Sequence, residues 1–407
     1  VNLASLVLYD KIQQCATLSG VAAKKGRHVS KDDLSVIENA AMVVDSDNSR
    51  IVWIGKSQEL PPQFENIVNR YTCEGEIWLP ELVECHTHLI FAGDRSHDFA
   101  QRTSGKTYAE IAAEGGGILT TLTHTRKASL QELFENGRAE VERFQKLGVG
   151  TIEIKSGYGL SLESEIKILK CIQLLQQNVS VQLIPTFMPA HAIPPEYKGR
   201  SDDYVKIICE EWMPEIAKAK LASHFDVFVE EGYFSVPQAE KLCLKAQDHG
   251  LHIKVHADQF KSLGGTSLAV ELNAQSVDHL DHILPSDIKL LGSSNTVAVL
   301  CPGASLFTGT PYAPARELID SGARVALTTD FNPGTCPSRN LPLMTTLACT
   351  QMKMTIAEAI AGVTYNAAAA LGLEQKIGSL EVGKQFRVCQ IRASSYESLP
   401  YSFGELE

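Results

Sequence analysis

No Cys-x-x-Cys pair occurs among the ten cysteines of this 407-residue sequence, and their spacing follows no period. That pattern argues against a disulfide framework and for reduced, buried thiols in a cytoplasmic protein. Long apolar runs are missing as well. None reaches the roughly 20 residues that cross a bilayer, and no secretory signal is visible. Positive charge is in deficit, with 37 Lys and Arg against 48 Asp and Glu and a formal net charge of -11. A phosphate backbone demands clustered basic residues, so a nucleic-acid surface is not expected. No G-x-G-x-x-G fingerprint follows the first strand of the central region, which removes the main support for a dinucleotide-binding open sheet. The expected partner is therefore a small molecule, with no membrane and no nucleic acid; a homodimer stays open.

What is present divides the chain by pattern. Residues 1–78 read as β-structure with turns: Ala41–Asp45 and Arg50–Gly55 flank the polar cluster Ser46-Asp47-Asn48-Ser49 as a hairpin. Residues 371–407 resemble that region in kind, so the two chain ends are expected to form one small β-sandwich domain. Between residues 79 and 370, short apolar strands alternate with amphipathic helices. The strands are expected at Val83–His88, Gly150–Lys155, Val181–Phe187, Asp226–Glu230, His252–His256, Ser276–His279, Thr296–Cys301 and Arg324–Asp330. Helical periodicity fills the gaps, as in Leu130–Leu147, Ser161–Gln176, Val236–His249 and Tyr312–Ser321. Eight such repeats predict an α/β fold, a (β/α)8 TIM-like barrel.

Chemistry in a barrel gathers at the C-terminal ends of the strands. The first strand ends in His86-Thr87-His88. Side chains two apart on a strand point the same way, about 6.5–7 Å apart, so both imidazoles can turn toward one cation. The fifth strand ends in His256 and the eighth in Asp330. Three imidazoles and a carboxylate form a nitrogen and oxygen donor set suited to zinc or a similar divalent ion. A metal there lowers the pKa of a water it holds to about 7, and Asp330 is placed to accept that water's proton. His279, on the sixth strand, either polarises a substrate carbonyl or passes a proton to a leaving nitrogen; alternatively it is a structural partner of Asp278 or Asp281.

Four phrases narrow the class: His86–Ser96 (HTHLIFAGDRS), Gly115–Leu119 (GGGIL), Glu153–Leu160 (EIKSGYGL) and Thr329–Gly334 (TDFNPG). With His256 and His279, they resemble the imidazolonepropionase family of metal-dependent amidohydrolases over nearly the whole chain. The resemblance implies hydrolysis of the cyclic amide C–N bond of 4-imidazolone-5-propanoate to N-formimidoyl-L-glutamate, in histidine breakdown. It implies one zinc or iron ion on His86, His88, His256 and Asp330, with Asp330 and His279 catalytic. Arg95, Tyr158, His191, Gln259, Asn332, Gly334 and Thr335 match its substrate-contacting positions. A guanidinium is the natural fork for the propanoate carboxylate; an ion pair of Arg95 with Asp94 or Asp98 is the competing reading.

The fourth strand carries no lysine of the kind that bridges two metals in some amidohydrolases, so a single ion is expected. Two departures stand out. Glu81 follows Pro80 where the superfamily usually has Gly, which would strain that turn if it required positive φ. Gln259 replaces a glutamate of some relatives, leaving proton transfer to Asp330 and His279. A heterocycle deaminase or cyclic-imide hydrolase is the enzymatic alternative, and a catalytically silent, assembly-type superfamily member is the non-enzymatic one.

Overall fold

Strands in the chain-end region come from segments rich in Val, Ile and Tyr: β1 Leu6–Ala16, β2 Val36–Asp45, β3 Arg50–Lys56, β4 Asn69–Thr72 and β5 Glu76–Pro80. The computed structural model describes residues 3–106, 110–111 and 115–405. Eight further strands follow: β6 Leu82–Glu84, β7 Val149–Lys155, β8 Gln182–Ala190, β9 His224–Val229, β10 His252–Ala257, β11 Ser276–His279, β12 Val297–Leu300 and β13 Val325–Leu327, then β14 Val388–Arg392 near the end. The hairpin expected at residues 41–55 is β2 paired antiparallel with β3.

The eight central strands pair in sequence order, all parallel, from β6 to β13. The two ends of this sheet meet where Thr87 bridges Phe331 and the His88 N–H donates to the Phe331 carbonyl at 2.9 Å. Helices cover the outside, as the barrel reading requires. Their starts follow local chemistry. Ser129 and Glu132 exchange hydrogen bonds ahead of the helix Leu130–Lys146, and the Ser161 hydroxyl caps Leu162–Gln176.

Alternation decides what faces the barrel axis. On β7, Ile152 and Ile154 join the core shared with the helices, whereas Thr151, Glu153 and Lys155 occupy the opposite, inner face. Val83, Val297, Val299 and Ala326 form an inner apolar floor against the alanine-rich segment Ala367–Leu371. The barrel interior is thus apolar on one side and charged on the other.

The chain ends build one hydrogen-bonded mixed sheet in the order β14-β5-β1-β2-β3, with β4 also paired to β1. A register shift between Tyr9 and Ile12 bends β1, so its first half pairs with β4 and its second with β5. Apolar clusters lie around both faces of this sheet.

Two strand expectations shorten. Regular pairing stops at Glu84 rather than His88, and at Leu327 rather than Asp330. The Glu84 carboxylate explains both endings: it accepts the N–H groups of His86 at 3.2 Å and Thr329 at 3.1 Å. Donors that a longer ladder would use are spent on this one side chain, which ties the two strand ends together.

Glu81 does not strain its turn, because its φ lies outside the positive region. Its buried carboxylate instead accepts from Thr151 Oγ1 at 2.8 Å and from Arg387 Nη1 at 3.3 Å, joining the barrel to the chain-end sheet. Gly150 permits this approach, since a Cβ there would collide with the Glu81 carboxylate. Arg387→Met leaves that carboxylate with Thr151 alone and is expected to cost about 1–2 kcal/mol, read as a lower urea unfolding midpoint.

Candidate active site

Residues at and just past the strand ends line a cleft at the C-terminal rim: His88, Arg95, Tyr158, His191, His256, Gln259, His279, Asp330, Asn332 and Thr335 among them. His86 lies immediately below, fully buried. Its Nδ1 is 2.6 Å from Asp278 Oδ2, a carboxylate that only accepts, so Nδ1 carries the proton and Nε2 is bare. In the same way His256 Nδ1 donates to Asp226 Oδ1 at 3.0 Å, which leaves its Nε2 bare.

These two nitrogens converge with His88 Nε2 and the Asp330 carboxylate. His86 Nε2 is 3.4 Å from Asp330 Oδ1, His88 Nε2 is 3.8 Å from the same oxygen, and His88 Nε2 is 3.4 Å from His256 Nε2. Ligand atoms of His86, His88 and Asp330 all lie within 4.8 Å of one another. No hydrogen-bond partner for His86 Nε2 exists among the described residues. A proton satisfies one of these contacts at a time, whereas a cation satisfies all of them. The donor set fits a metal ion.

Electrostatics agree. Burial, followed by the positive charge of Lys155 and the neighbouring imidazoles, holds His86 well below the ordinary histidine range. Burial and then His191 and His256 do the same to His88. Neutral imidazole is the form that ligates metal. Without a cation, burial pushes the Asp330 carboxyl well above its usual range.

Backbone conformation sets these side chains as firmly as packing does. Asp258, His279 and Asp330 all lie at positive φ, 56°, 87° and 54°. Such conformations cost about 1–3 kcal/mol each in non-glycine residues and cluster at functional sites. Asn332 secures the last: its Nδ2 donates to the Asp330 carbonyl and to Thr335 Oγ1, both at 2.7 Å. Its Oδ1 accepts the N–H groups of Gly334 and Thr335, and Thr335 Oγ1 reaches Asp330 Oδ2 at 3.2 Å. Asn332 and Thr335 therefore shape the Asp330 loop as well as lining the cleft.

The opposite wall is built by a buried carboxylate. Glu165 accepts the N–H groups of Gly157, Gly159 and Leu160 at 3.0, 2.9 and 2.8 Å, curling the turn that presents Tyr158. Gly157 has φ +106°, and a Cβ there would meet the Met188 carbonyl and the His191 ring. His191 stacks on His88 with centroids 4.6 Å apart. Its Nδ1 donates to the Gly157 carbonyl at 3.1 Å, and burial with the nearby His256 pushes it down to about 3. A neutral ring with Nδ1 protonated offers Nε2 as an acceptor.

Arg95 is buried, and its Nε donates to Thr121 Oγ1 at 2.8 Å. The acids that competed for it are engaged elsewhere: Asp94 accepts from Ser96, and Asp98 from the Gly117 N–H at 2.8 Å. Gly334 lies against the guanidinium, where a Cβ would collide with Nη1, rather than along the cleft surface. His279 is not paired with its sequence neighbours, since Asp278 serves His86 and Asp281 accepts from Ser305 Oγ at 2.6 Å. The His279 ring is 5.2 Å from that of His256, centroid to centroid.

Three carboxylates escaped the sequence reading, Glu84, Glu165 and Asp226, while Asp278 entered it as a partner of His279 and is instead the partner of His86. The cleft walls Ile118, Phe228 and Tyr233 escaped it as well. Alternation was the available signal for two of the acids, because Glu84 lies two residues before His86, and Asp226 shares the inner face of β9 with Phe228.

The family model described as the Amidohydrolase family matches residues 77–388. The chain belongs to the amidohydrolase family. Its curated relatives include the imidazolonepropionase of Bdellovibrio bacteriovorus, 45% identical over 401 residues, 98% of this chain and 93% of that protein. The imidazolonepropionase of Yersinia enterocolitica is 46% identical over 350 residues, 86% and 85% of the two chains. Among solved structures, Escherichia coli guanine deaminase superposes with a TM-score of 0.70 at 14% identity, covering 96% of this chain and 89% of its own. At that identity the likeness concerns the fold alone.

Burial pushes the Asp281 carboxyl up to about 7, well above its unfolded range near 4. Between those values the folded chain keeps a proton that the unfolded chain releases, so stability falls as pH rises through that window. Asp281→Asn removes this contribution; unfolding followed from pH 4 to 7 is expected to show a weaker decline than in the wild type.

Proposed function

We infer that the chain hydrolyses the cyclic amide C–N bond of 4-imidazolone-5-propanoate, giving N-formimidoyl-L-glutamate in histidine degradation. The observation that carries this reading is the meeting, in one cleft, of the imidazole and carboxylate cluster with the buried guanidinium of Arg95. Full-length similarity to imidazolonepropionases supports it independently. A deaminase or a silent assembly-type member is not favoured, since the ligand cluster is complete and the relatives carry the name of a ring-opening hydrolase.

His86, His88, His256 and Asp330 are the residues that would hold zinc or iron, which supplies a Lewis acid able to bring the pKa of water to about 7. Asp330 takes the proton of the attacking water on its carboxylate and passes it to the ring nitrogen that leaves. His279 hydrogen-bonds the carbonyl oxygen as negative charge develops there. Arg95 and Tyr158 hold the propanoate, and His191 Nε2 accepts from a ring N–H. Gln259 orients the ring without itself moving a proton.

Phe228 and Tyr233, tilted 52° to one another with ring centroids 4.5 Å apart, form an aromatic flank that limits water at the reacting carbon. The cytoplasm is the proposed compartment, supported by ten free cysteines, nine of them buried. Among the described residues no helix is long and apolar enough to cross a membrane.

Protein stripped of metal by a chelator is expected to lose ring opening, measured as decay of substrate absorbance, and to regain it with zinc or iron. His256→Ala should retain no metal on elemental analysis; full activity in that metal-free variant would contradict the assignment. Arg95→Ala is expected to raise KM roughly 10- to 100-fold with a smaller effect on kcat, the loss of one charge-assisted contact. Release of ammonia instead of the formimidoyl product would favour a deaminase.

A further inference from the structure

Beneath the histidines lies a layer of buried charge that never reaches the cleft. Lys155 Nζ on β7 is 2.8 Å from Asp226 Oδ2 on β9 and 2.8 Å from the Glu153 carboxylate on its own strand. It is also 3.9 Å from Asp278 Oδ2 on β11. Neither β9 nor β11 neighbours β7 in the sheet, so these contacts cross the barrel interior. Lys254 Nζ on β10 completes the layer, 3.5 Å from Glu153 and 3.7 Å from Asp278, while donating to the Cys85 carbonyl at 2.8 Å. All five side chains are fully buried.

The carboxylates in this layer are the ones that aim the histidines. Asp226 gives Oδ1 to His256 Nδ1 and Oδ2 to Lys155. Asp278 gives Oδ2 to His86 Nδ1, with Ser276 Oγ donating to its Oδ1 at 2.6 Å. The Lys155 ammonium therefore stands directly behind the carboxylate that aims His256, and with Lys254 it flanks the carboxylate that aims His86.

We propose that Lys155 is a positioning residue for the metal centre, fixing the Asp226 carboxylate directly and the Asp278 carboxylate together with Lys254, and through them the ring orientation of His256 and His86. This rests on the reading of the histidine cluster as a metal centre. Two carboxylates in a low-dielectric interior repel each other and must be compensated by nearby positive charge. Ammonium groups held between them set both at fixed distances, and the barrel strands make those distances rigid. Partners that hydrogen-bond ligating histidines typically change metal affinity by about 10- to 100-fold. The cation that fixes those partners acts on the same scale. Lys155 is absent from the residues lining the cleft, so it works through the histidines and not on substrate.

Lys155→Met keeps an unbranched apolar stem close to the length of the lysine stem and removes the charge. Its metal dissociation constant, measured by chelator competition on protein shown to be folded by circular dichroism, is expected to rise about 10- to 100-fold. The visible spectrum of the cobalt-substituted protein should change as well. A merely structural lysine would lower the unfolding midpoint and leave both readouts alone. Combined with Asp226→Asn, the loss should fall well short of the sum of the two single losses, because one pathway carries both. If Lys155→Met does not fold, the pair Lys155→Met with Glu153→Gln removes one charge of each sign and is expected to show the same loss. Unchanged affinity and cobalt spectrum in a folded variant, beside a wild type that binds one equivalent, would overturn the role of Lys155 and leave the metal centre standing. A wild type that binds no metal would overturn both.

Discussion

His86 Nε2 is buried, bare, and 3.4 Å from a carboxylate oxygen, with no described donor to satisfy it. An unsatisfied buried acceptor costs about 1–3 kcal/mol. The surrounding structure holds it there rather than relieving it. Asp278 keeps the proton on the far side of the ring, Glu84 ties the His86 segment to the segment leading to Asp330, and the Thr87–Phe331 bridge closes the barrel at that point. These contacts hold the imidazole nitrogens and the Asp330 oxygen close together, an arrangement that one cation could satisfy at once.

Division of labour within the barrel follows from this constraint. An apolar floor gives the strands a hydrophobic interior on one side, while charged inner residues of β7, β9, β10 and β11 support the histidines on the other. Above them, the loops build the walls of the cleft. Glu165 curls the Tyr158 turn, Asn332 holds the Asp330 loop, and Thr121 steadies Arg95. Loops placed by buried carboxylates and amides are rigid enough to serve as recognition surfaces, which surface loops held by water are not.

Much of this was legible before any coordinates. All eight barrel strands fall where apolar alternation puts them, because inner and outer faces are both buried and a one-residue slip would exchange them. The sequence also offered His86, His88, His256 and Asp330 together at strand ends, and the folded chain brings those side chains close to one another. The ends of β6 and β13 were less legible. There Glu84 takes N–H groups that a ladder would have used, and pairing between residues 84 and 329 has no local signature. The charged layer escaped for a related reason. Lys155 and Asp278 look like ordinary strand residues until the strands between them are curled into a barrel. Glu81 shows the opposite case: an apparent conflict with a glycine position disappears because its turn never enters positive φ and Gly150 makes room for the carboxylate.

The central claim is that four residues distant in sequence surround one cation with a carboxylate-binding arginine alongside. Anomalous diffraction at the metal absorption edge, from crystals soaked with a non-hydrolysable propanoate-bearing analogue, tests it most directly. A single peak enclosed by His86, His88, His256 and Asp330, with the analogue's carboxylate on Arg95, is the predicted result. A peak elsewhere, none at all, or a carboxylate seated away from Arg95 would contradict it.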